Sequence, residues 1–520
     1  MCEVSVRGNR KPHKLFMRKT KEKGSTMSKE KKKLSLVALI LMIFTSVYGF
    51  NNMPRSFYLM GYGAIPFYIV SAIIFFVPFA FMIAEYGSAF KDEKGGIFSW
   101  MEKSVNTKYA FVATFMWYTS YVIWLVNISS GIMVPVSNAI FGTDTTATWS
   151  LFGLNGTQTL GILGVIFILV VTFFSSKGLD KIKVVSTIGG IACMGLNVLL
   201  IGGALIVWIG NGGKLAQNLP SFSQILQSPN PAFGSTISIL AFVVYALFAF
   251  GGTEAVGGLV DQTENPEKNF GKGLTIAAFI IAIGYAIGIF CVGVFTNWDA
   301  TLSSEAVHKG NASYVIMNNL GYQIGKVFGA SEAGCIQVGN GIARFMGISI
   351  LCSLAGAVFT LIYAPLKQLI EGSPKGLLPE KFCKIEDGMP KNAMKVQCVI
   401  VVVMVLLIAM GGDAASKFFD ILVAMTNVAM TLPYLFISGA FIAFKRNKNI
   451  EKSFVVFKND KVAVIFTVLV TFTVAFANFF TIIEPAINGD LKTTIWSIVG
   501  PVLFTVVALF LHYRYEKKQK

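Results

Sequence analysis

The sequence predicts an all-α integral membrane protein of twelve transmembrane helices, laid out as a five-plus-five inverted repeat in which helices 1 and 6 are broken. Three observations support this. Over half of the 520 residues are apolar and only 14% are charged, a balance that no soluble domain of this length needs. Apolar stretches recur along the whole chain at the length a helix needs to cross hydrocarbon, about 20 residues. Two of them carry Gly and polar residues mid-span, at Ser46–Pro54 and Phe248–Glu254.

In the first half the stretches fall at roughly 34–59, 64–89, 109–137, 156–175, 182–209 and 233–258. The second half repeats the pattern at roughly 273–296, 336–364, 396–411, 418–444, 461–483 and 491–513. The corresponding units are a basic tail at 1–33, a first repeat at 34–210, a second at 231–445, an appended pair at 461–513 and a short tail at 514–520. Met27, followed by Ser-Lys-Glu-Lys-Lys-Lys, stands as an alternative start, and residues 1–26 lack the apolar core of a cleavable signal peptide.

The net charge of +17 invites a nucleic-acid reading, but the basic residues instead mark one side of a membrane. With the N-terminus inside, internal loops hold Lys91, Lys94, Lys103 and Lys108, then Lys177, Lys181 and Lys183, then Lys268 and Lys272. Lys367, Lys375, Lys381, Lys384, Lys391 and Lys395 continue the series, as do Lys445, Arg446, Lys448, Lys452, Lys458 and Lys461. External loops hold only Lys214, Lys309, Lys326, Lys417 and Lys492. Short basic loops resist translocation, so a multi-pass cell-membrane protein with both termini cytoplasmic is expected, with the lipid bilayer as partner and no nucleic acid.

Seven cysteines (Cys2, Cys193, Cys291, Cys335, Cys352, Cys383, Cys398) lack metal-ligand spacing and read as packing residues, so no metal is expected. The three histidines, His13, His308 and His512, lie outside or at the ends of the spans, which removes haem chemistry and a histidine proton relay; no cofactor is expected.

In lipid an unpaired backbone amide costs several kcal/mol, so helices break at membrane depth only beside protein or a water-filled cavity. Two breaks at matching places in two halves point to a transport site. At the first, Val47, Tyr48, Gly49, Phe50 and Asn51 precede Pro54; freed amides there suit a carboxylate, and a plain Pro kink is the alternative. At the second, Phe248, Ala249, Phe250, Gly251 and Gly252 leave carbonyls for an ammonium group, with Phe248 and Phe250 able to close over it; a Gly packing face is the alternative.

Glu85 and Glu254 are the acids placed well inside spans. Glu254 is read either as a proton carrier or pH-sensitive gate, or as a cap on unwound backbone; Glu85, at a span end, is read as structural. Trp117, Tyr121 and Trp124 share a face of the third span, and Asn127 adds a polar group that could orient a ligand or merely pack. Arg344 enters span eight from outside, to snorkel, to pair with an acid or to attract an anion. Residues 312–328 show helical spacing, as an outer lid or as a packed loop.

Together these residues resemble the amino acid/polyamine/organocation (APC) transporter superfamily from Met27 onward. The resemblance rests on Ala84-Glu85-Tyr86-Gly87 with Lys94-Gly95-Gly96, on Phe250-Gly251-Gly252-Thr253-Glu254 with Glu264-Asn265-Pro266-Glu267-Lys268-Asn269, and on Lys375-Gly376-Leu377-Leu378-Pro379. Pro54 and Gly178-Leu179-Asp180-Lys181-Ile182 look nearest the glutamate/GABA antiporter branch. The resemblance implies a leucine-transporter-like fold and a transporter, not an enzyme. It puts Val47-Tyr48-Gly49 in the place of the family's Gly-Ser-Gly carboxylate cradle, Phe248 at the aromatic gate, Gly251 at the ammonium-binding carbonyl and Asn127 at a third-span contact. Only the last Gly of the cradle is kept, so the pocket is reshaped there.

The span-five lysine of some relatives is absent from Ser186-Thr187-Ile188-Gly189-Gly190, and no sodium site is evident. The reading is therefore a secondary transporter of amino acids or their decarboxylated amines, working by exchange or proton coupling, with Trp124 and Asn127 shaping the side-chain pocket. An amino-acid-binding membrane sensor of the same fold is the alternative; it needs an output domain, and the residues after His512 are too few for one. A channel would show charged or carbonyl rings, which the sequence lacks. A homo-oligomer stays open.

Overall fold

The computed structural model describes residues 33–221 and 224–520, with the side chains of 413–416 and 418–420 left aside. Met27, Cys2, His13 and all of the basic tail but Lys33 lie outside the described residues. Those described form helices with three isolated β-bridges and no strand. Eleven helical segments are long and apolar enough to cross a membrane. The first, Leu36–Ala89, runs for 54 residues and is interrupted twice.

Each interruption has a local cause. Ser35 caps the first helix by accepting from Ala38 N–H, and the helix ends where Tyr48 turns extended (φ −84°, ψ 107°). It restarts as Asn52–Met60, with Pro54 in a first turn that needs no donor. Gly61 then adopts φ +56° with its α-carbon face against Pro229, a place where a Cβ would meet Cγ at 2.9 Å. Beyond it, Ala72–Phe76 forms a π turn that sets Phe76 on Phe250 (ring centroids 4.6 Å apart) and Phe75 near Tyr434 (5.9 Å).

The sixth apolar stretch starts with a reciprocal cap between Ser235 and Ser238 and runs as Thr236–Phe248. Helical geometry stops at Ala249–Gly252, where Gly252 takes φ +103°, and resumes as a ten-residue 3₁₀ helix, Thr253–Gln262. A 3₁₀ run this long is unusual and marks a strained or hinging element.

Small residues let helices close up. A Cβ on Gly189 would come within 2.6 Å of Cys352 O, and one on Gly356 within 3.0 Å of Ser186 Cα, so helices Leu179–Gly210 and Glu332–Leu361 touch along their backbones. Ser186 Oγ donates to Gly356 O at 2.9 Å across this seam. Residues 312–327 form a helix packed on both, as their spacing predicts. Large apolar side chains left on the outside, such as Ile73, Val198 and Phe472, would be a liability in water and suit hydrocarbon.

Two expectations shift. Lys367, expected in a loop, lies in helix Ala364–Gly372, 2% exposed and 2.5 Å from Asp261. Glu484 falls inside helix Asp460–Ile487, which runs four residues past the predicted end of that span. Arg344 is exposed on Glu332–Leu361, beside Gly142. Glu85 is buried against Lys445 (2.9 Å) and accepts from Val456 and Phe457 N–H at 2.8 and 2.7 Å, a structural lock as read from sequence.

Candidate functional site

The two breaks face one another across a single hydroxyl. Tyr285, from helix Pro266–Phe295, accepts from Gly49 N–H at 3.0 Å and donates to Ala249 O at 3.1 Å. Asn52 Nδ2 donates to the same oxygen at 3.2 Å, which uses both lone pairs and the proton of the phenol. Asn52 Oδ1 in turn accepts from Tyr245 OH at 3.1 Å. One amide of the first break and one carbonyl of the second are thus bridged by a single side-chain hydroxyl.

Two cavities open at this point. The first, about 460 Å³, is walled by both breaks together with Ser353, Leu354 and Ala357. The second, about 490 Å³, extends past Trp124 and Tyr121 to Asn427, Thr431, Thr481 and Glu484. Ser46, Tyr245, Phe248 and Gly251 line both, so the half-buried Phe248 ring stands where the cavities meet. Volumes of this size suit small-molecule ligands.

Glu254 caps the second break from below. Its Oε1 accepts from Trp117 Nε1 at 3.0 Å and Tyr121 OH at 3.3 Å, and its Oε2 from Gly252 N–H at 3.2 Å. Tyr434 OH also accepts from that N–H, at 3.2 Å. The amide freed by unwinding is thereby satisfied inside the core, as buried backbone groups must be. Gly252 is required here: a Cβ would lie 2.6 Å from Ser46 O, at a φ that L side chains rarely adopt.

Toward the lysine-rich face the segment after the break is sealed. Thr253 to Val260 are buried, Gln368 Nε2 donates to Ala255 O at 3.0 Å, and Lys367 Nζ to Gly258 O at 3.0 Å. Trp100 covers Gly257, where a Cβ would meet its ring at 2.8 Å. Leu34 N–H donates to Gln262 O at 2.7 Å, tying the start of the first helix to the end of this segment.

A family model described as amino acid permease matches residues 34–507. The chain belongs to the amino acid permease family. Among its relatives, the inner membrane transporter YjeM of Escherichia coli (strain K12) is 48% identical over 486 residues, covering 93% of this chain and 96% of the relative. The aspartate/glutamate permease AcaP of Lactococcus lactis subsp. cremoris is 22% identical, covering 94% and 96%. A glutamate/gamma-aminobutyrate antiporter of Lactococcus lactis subsp. lactis is 22% identical, covering 87% and 84%. The chain is thus a multi-pass membrane transporter and not an enzyme, as the sequence resemblance implied.

In the permease, Val47, Tyr48, Gly49, Phe50, Asn51, Phe248, Ala249 and Gly251 line the first cavity, and Trp124, Phe248, Gly251 and Gly252 the second. Asn51 Oδ1 is buried without a hydrogen-bond partner. Tyr48 turns its hydroxyl away to Asn197 (2.5 Å) and Met53 Sδ (2.9 Å). Two residues fall elsewhere. Phe250 packs in the core against Phe76, Tyr68 and Tyr285, because a position two residues on from Phe248 in a helical turn lies about 200° round from it. Asn127 is exposed and lines neither cavity. Tyr285, Tyr245, Tyr434 and Glu484 were missed by sequence reasoning. Pro433 beside Tyr434, at the interruption between Gly412–Ala429 and Leu432–Arg446, was the one local signal.

Proposed function

We propose that the permease is a secondary transporter that carries an amino acid, or the amine left by its decarboxylation, by alternating access between two faces of the membrane. Substrate carboxylate takes the Gly49 N–H side of the first break and substrate ammonium takes the Ala249 carbonyl side of the second, while Val47 to Asn51 with Phe248, Ala249, Gly251 and Gly252 form the floor. Phe248 serves as the gate between the cavities, Trp124 as a side-chain wall, and Glu254 as the cap that ties the second break to Trp117 and Tyr121.

The observation that carries this reading is the buried Tyr285 hydroxyl, bonded at once to Gly49 N–H and Ala249 O, whose residues line the first cavity. It brings a donor of the first break and an acceptor of the second to one point, the pair of groups that a small zwitterion's two ends would take. The family and the substrates for which two relatives are named, aspartate/glutamate and glutamate/gamma-aminobutyrate, support the amino acid class.

We read the 54-residue segment Leu36–Ala89 as two spans, since a continuous helix of that length rises about 80 Å against a hydrocarbon core of about 30 Å. That makes twelve spans with both termini cytoplasmic, in two inverted repeats of five at 34–210 and 231–445, plus the pair at 461–513. The lysine-rich face is then cytoplasmic, and the sealed segment Thr253–Gln262 is the closed inner gate. With no lysine at 186–190, exchange or proton coupling is favoured over sodium symport.

Counterflow in proteoliposomes with labelled amino acids and amines, at several pH values and with or without sodium, tests the proposal. Exchange of at least one α-amino acid or its amine, independent of sodium, is expected. A complete lack of exchange across the panel by monodisperse protein would refute it.

A further inference from the structure

The second cavity is larger than a substrate backbone needs, and its far wall comes from a helix outside the two repeats. We propose that it is a side-chain subsite, closed by Glu484 of helix Asp460–Ile487, for a substrate whose side chain ends in a cation. This rests on the transport reading above and names the substrate class of that same site.

Four observations converge on it. The cavity joins the first through Ser46, Tyr245, Phe248 and Gly251, so a ligand anchored at the breaks can project its side chain past Phe248 into it. Its near walls are aromatic, Trp124 and Phe248, which suits an alkyl chain and then a cation over a ring face. Its polar end holds Asn427, exposed to the space, beside Thr481. Among the described residues, Glu484 is the only charged side chain lining either cavity.

Glu484 is available to a ligand. Its Oε1 accepts from Asn488 Nδ2 at 2.8 Å, within its own helix, and it makes no ion pair among the described residues. Pro485 follows it, so the helix here lacks one backbone donor and the carboxylate sits at a weakened turn.

Two cations stand near this end of the cavity, and Lys309 is close enough for its charge and that of Glu484 to attract each other. Lys309 Nζ sits 5.2 Å from the centre of the Tyr245 ring, and Arg55 Nε donates to Lys309 O at 3.0 Å. Arg55 belongs to Asn52–Met60, directly after the first break. An incoming cation therefore competes with Lys309 for Glu484, while Arg55 lies directly after the proposed carboxylate cradle. A carboxylate side chain directed at Glu484 would be repelled, and an ammonium or guanidinium attracted.

The test is counterflow with labelled ornithine, lysine, the neutral isostere norleucine and glutamate, on the wild-type chain, Glu484→Gln and Glu484→Asp. The wild type is expected to prefer lysine or ornithine over norleucine. A unit-charge attraction in a wet cavity corresponds to about fivefold in affinity, so Glu484→Gln should lower the lysine-to-norleucine preference by about that factor or more. Glu484→Asp, which keeps the charge, should retain most of the preference and so separates charge from misfolding. Wild-type preference for glutamate or norleucine over lysine would overturn the subsite while leaving the transport reading intact. An unchanged preference in Glu484→Gln would overturn it equally. Failure of every amino acid and amine in the broader panel would instead refute the transport reading on which it rests.

Discussion

Replacing Gly252 with alanine probes the closest approach of the two breaks. The added Cβ would lie 2.6 Å from Ser46 O and 3.4 Å from Ser46 C, on a residue held at φ +103°. A left-handed backbone costs an L side chain about 1–2 kcal/mol, and overpacking of this kind adds about 1–3 kcal/mol. The sum, about 2–5 kcal/mol, cannot be relieved by a side-chain rotation because the neighbour is backbone. Gly251 provides the internal control: its Cβ would meet the Tyr434 hydroxyl at 3.0 Å and Phe248 O at 3.2 Å, with no strained φ. Thermal unfolding of the purified proteins and counterflow in proteoliposomes should therefore rank Gly252→Ala well below Gly251→Ala. We expect a melting temperature lowered by several degrees and transport reduced at least about tenfold for the first, with folding near normal for the second. Gly251→Phe, at the position shared by both cavities, should fold and yet block exchange. Wild-type stability and exchange in Gly252→Ala would refute the argument that the breaks are packed backbone to backbone.

Trp117→Phe removes the 3.0 Å indole bond to Glu254, worth about 0.5–1.5 kcal/mol, and should slow exchange more than Tyr121→Phe, whose bond is 3.3 Å; the reverse order in counterflow rates would contradict the assigned geometry. Lys445→Met strands Glu85, fully buried, and should cost about 3–5 kcal/mol, read as a large drop in melting temperature. Lys367→Met releases Gly258 O and Asp261, so hydrogen–deuterium exchange across 253–262 should rise about tenfold or more for each 1.4 kcal/mol lost, and unchanged protection would show that the seal does not depend on this lysine. Tyr285→Phe orphans Gly49 N–H and Ala249 O in the empty protein; it should lower the unliganded melting temperature, and substrate should restore a larger part of it than in the wild type.

Where sequence succeeded, the signal was a residue type that cannot serve an intact helix. Gly49 and Pro54 in one span, and Gly251 and Gly252 in the other, mark unwound backbone whatever surrounds them, and the breaks fall where these residues stand. Apolar length alone marked the membrane-length helical segments, eleven in the structure because the first two predicted stretches run together as Leu36–Ala89, but not their ends, since helices such as Asp460–Ile487 continue into the polar zone on their own capping residues. That margin hid Glu484. Partners of the freed backbone were also hidden: Tyr285 and Tyr434 sit in ordinary apolar stretches, where a tyrosine reads as packing until the fold brings its hydroxyl to a distant amide. Phe250 was misplaced because two residues' separation puts it on one face with Phe248 only in an extended chain, whereas Ala249 keeps helical φ and ψ and turns it about 200° away, and Asn127 falls on the exposed side of its helix. Glu254 had two sequence readings, proton carrier and backbone cap, and its bond to Gly252 N–H supplies the geometry of the second.

The most direct test of the central claim is a structure of the permease in lipid nanodiscs with a transported amino acid bound. The account predicts ligand density between the breaks, its carboxylate within hydrogen-bonding distance of Gly49 N–H, its ammonium at Ala249 O, and Tyr285 no longer bridging the two. Density elsewhere, with the Tyr285 bridge between Gly49 and Ala249 intact, would contradict it.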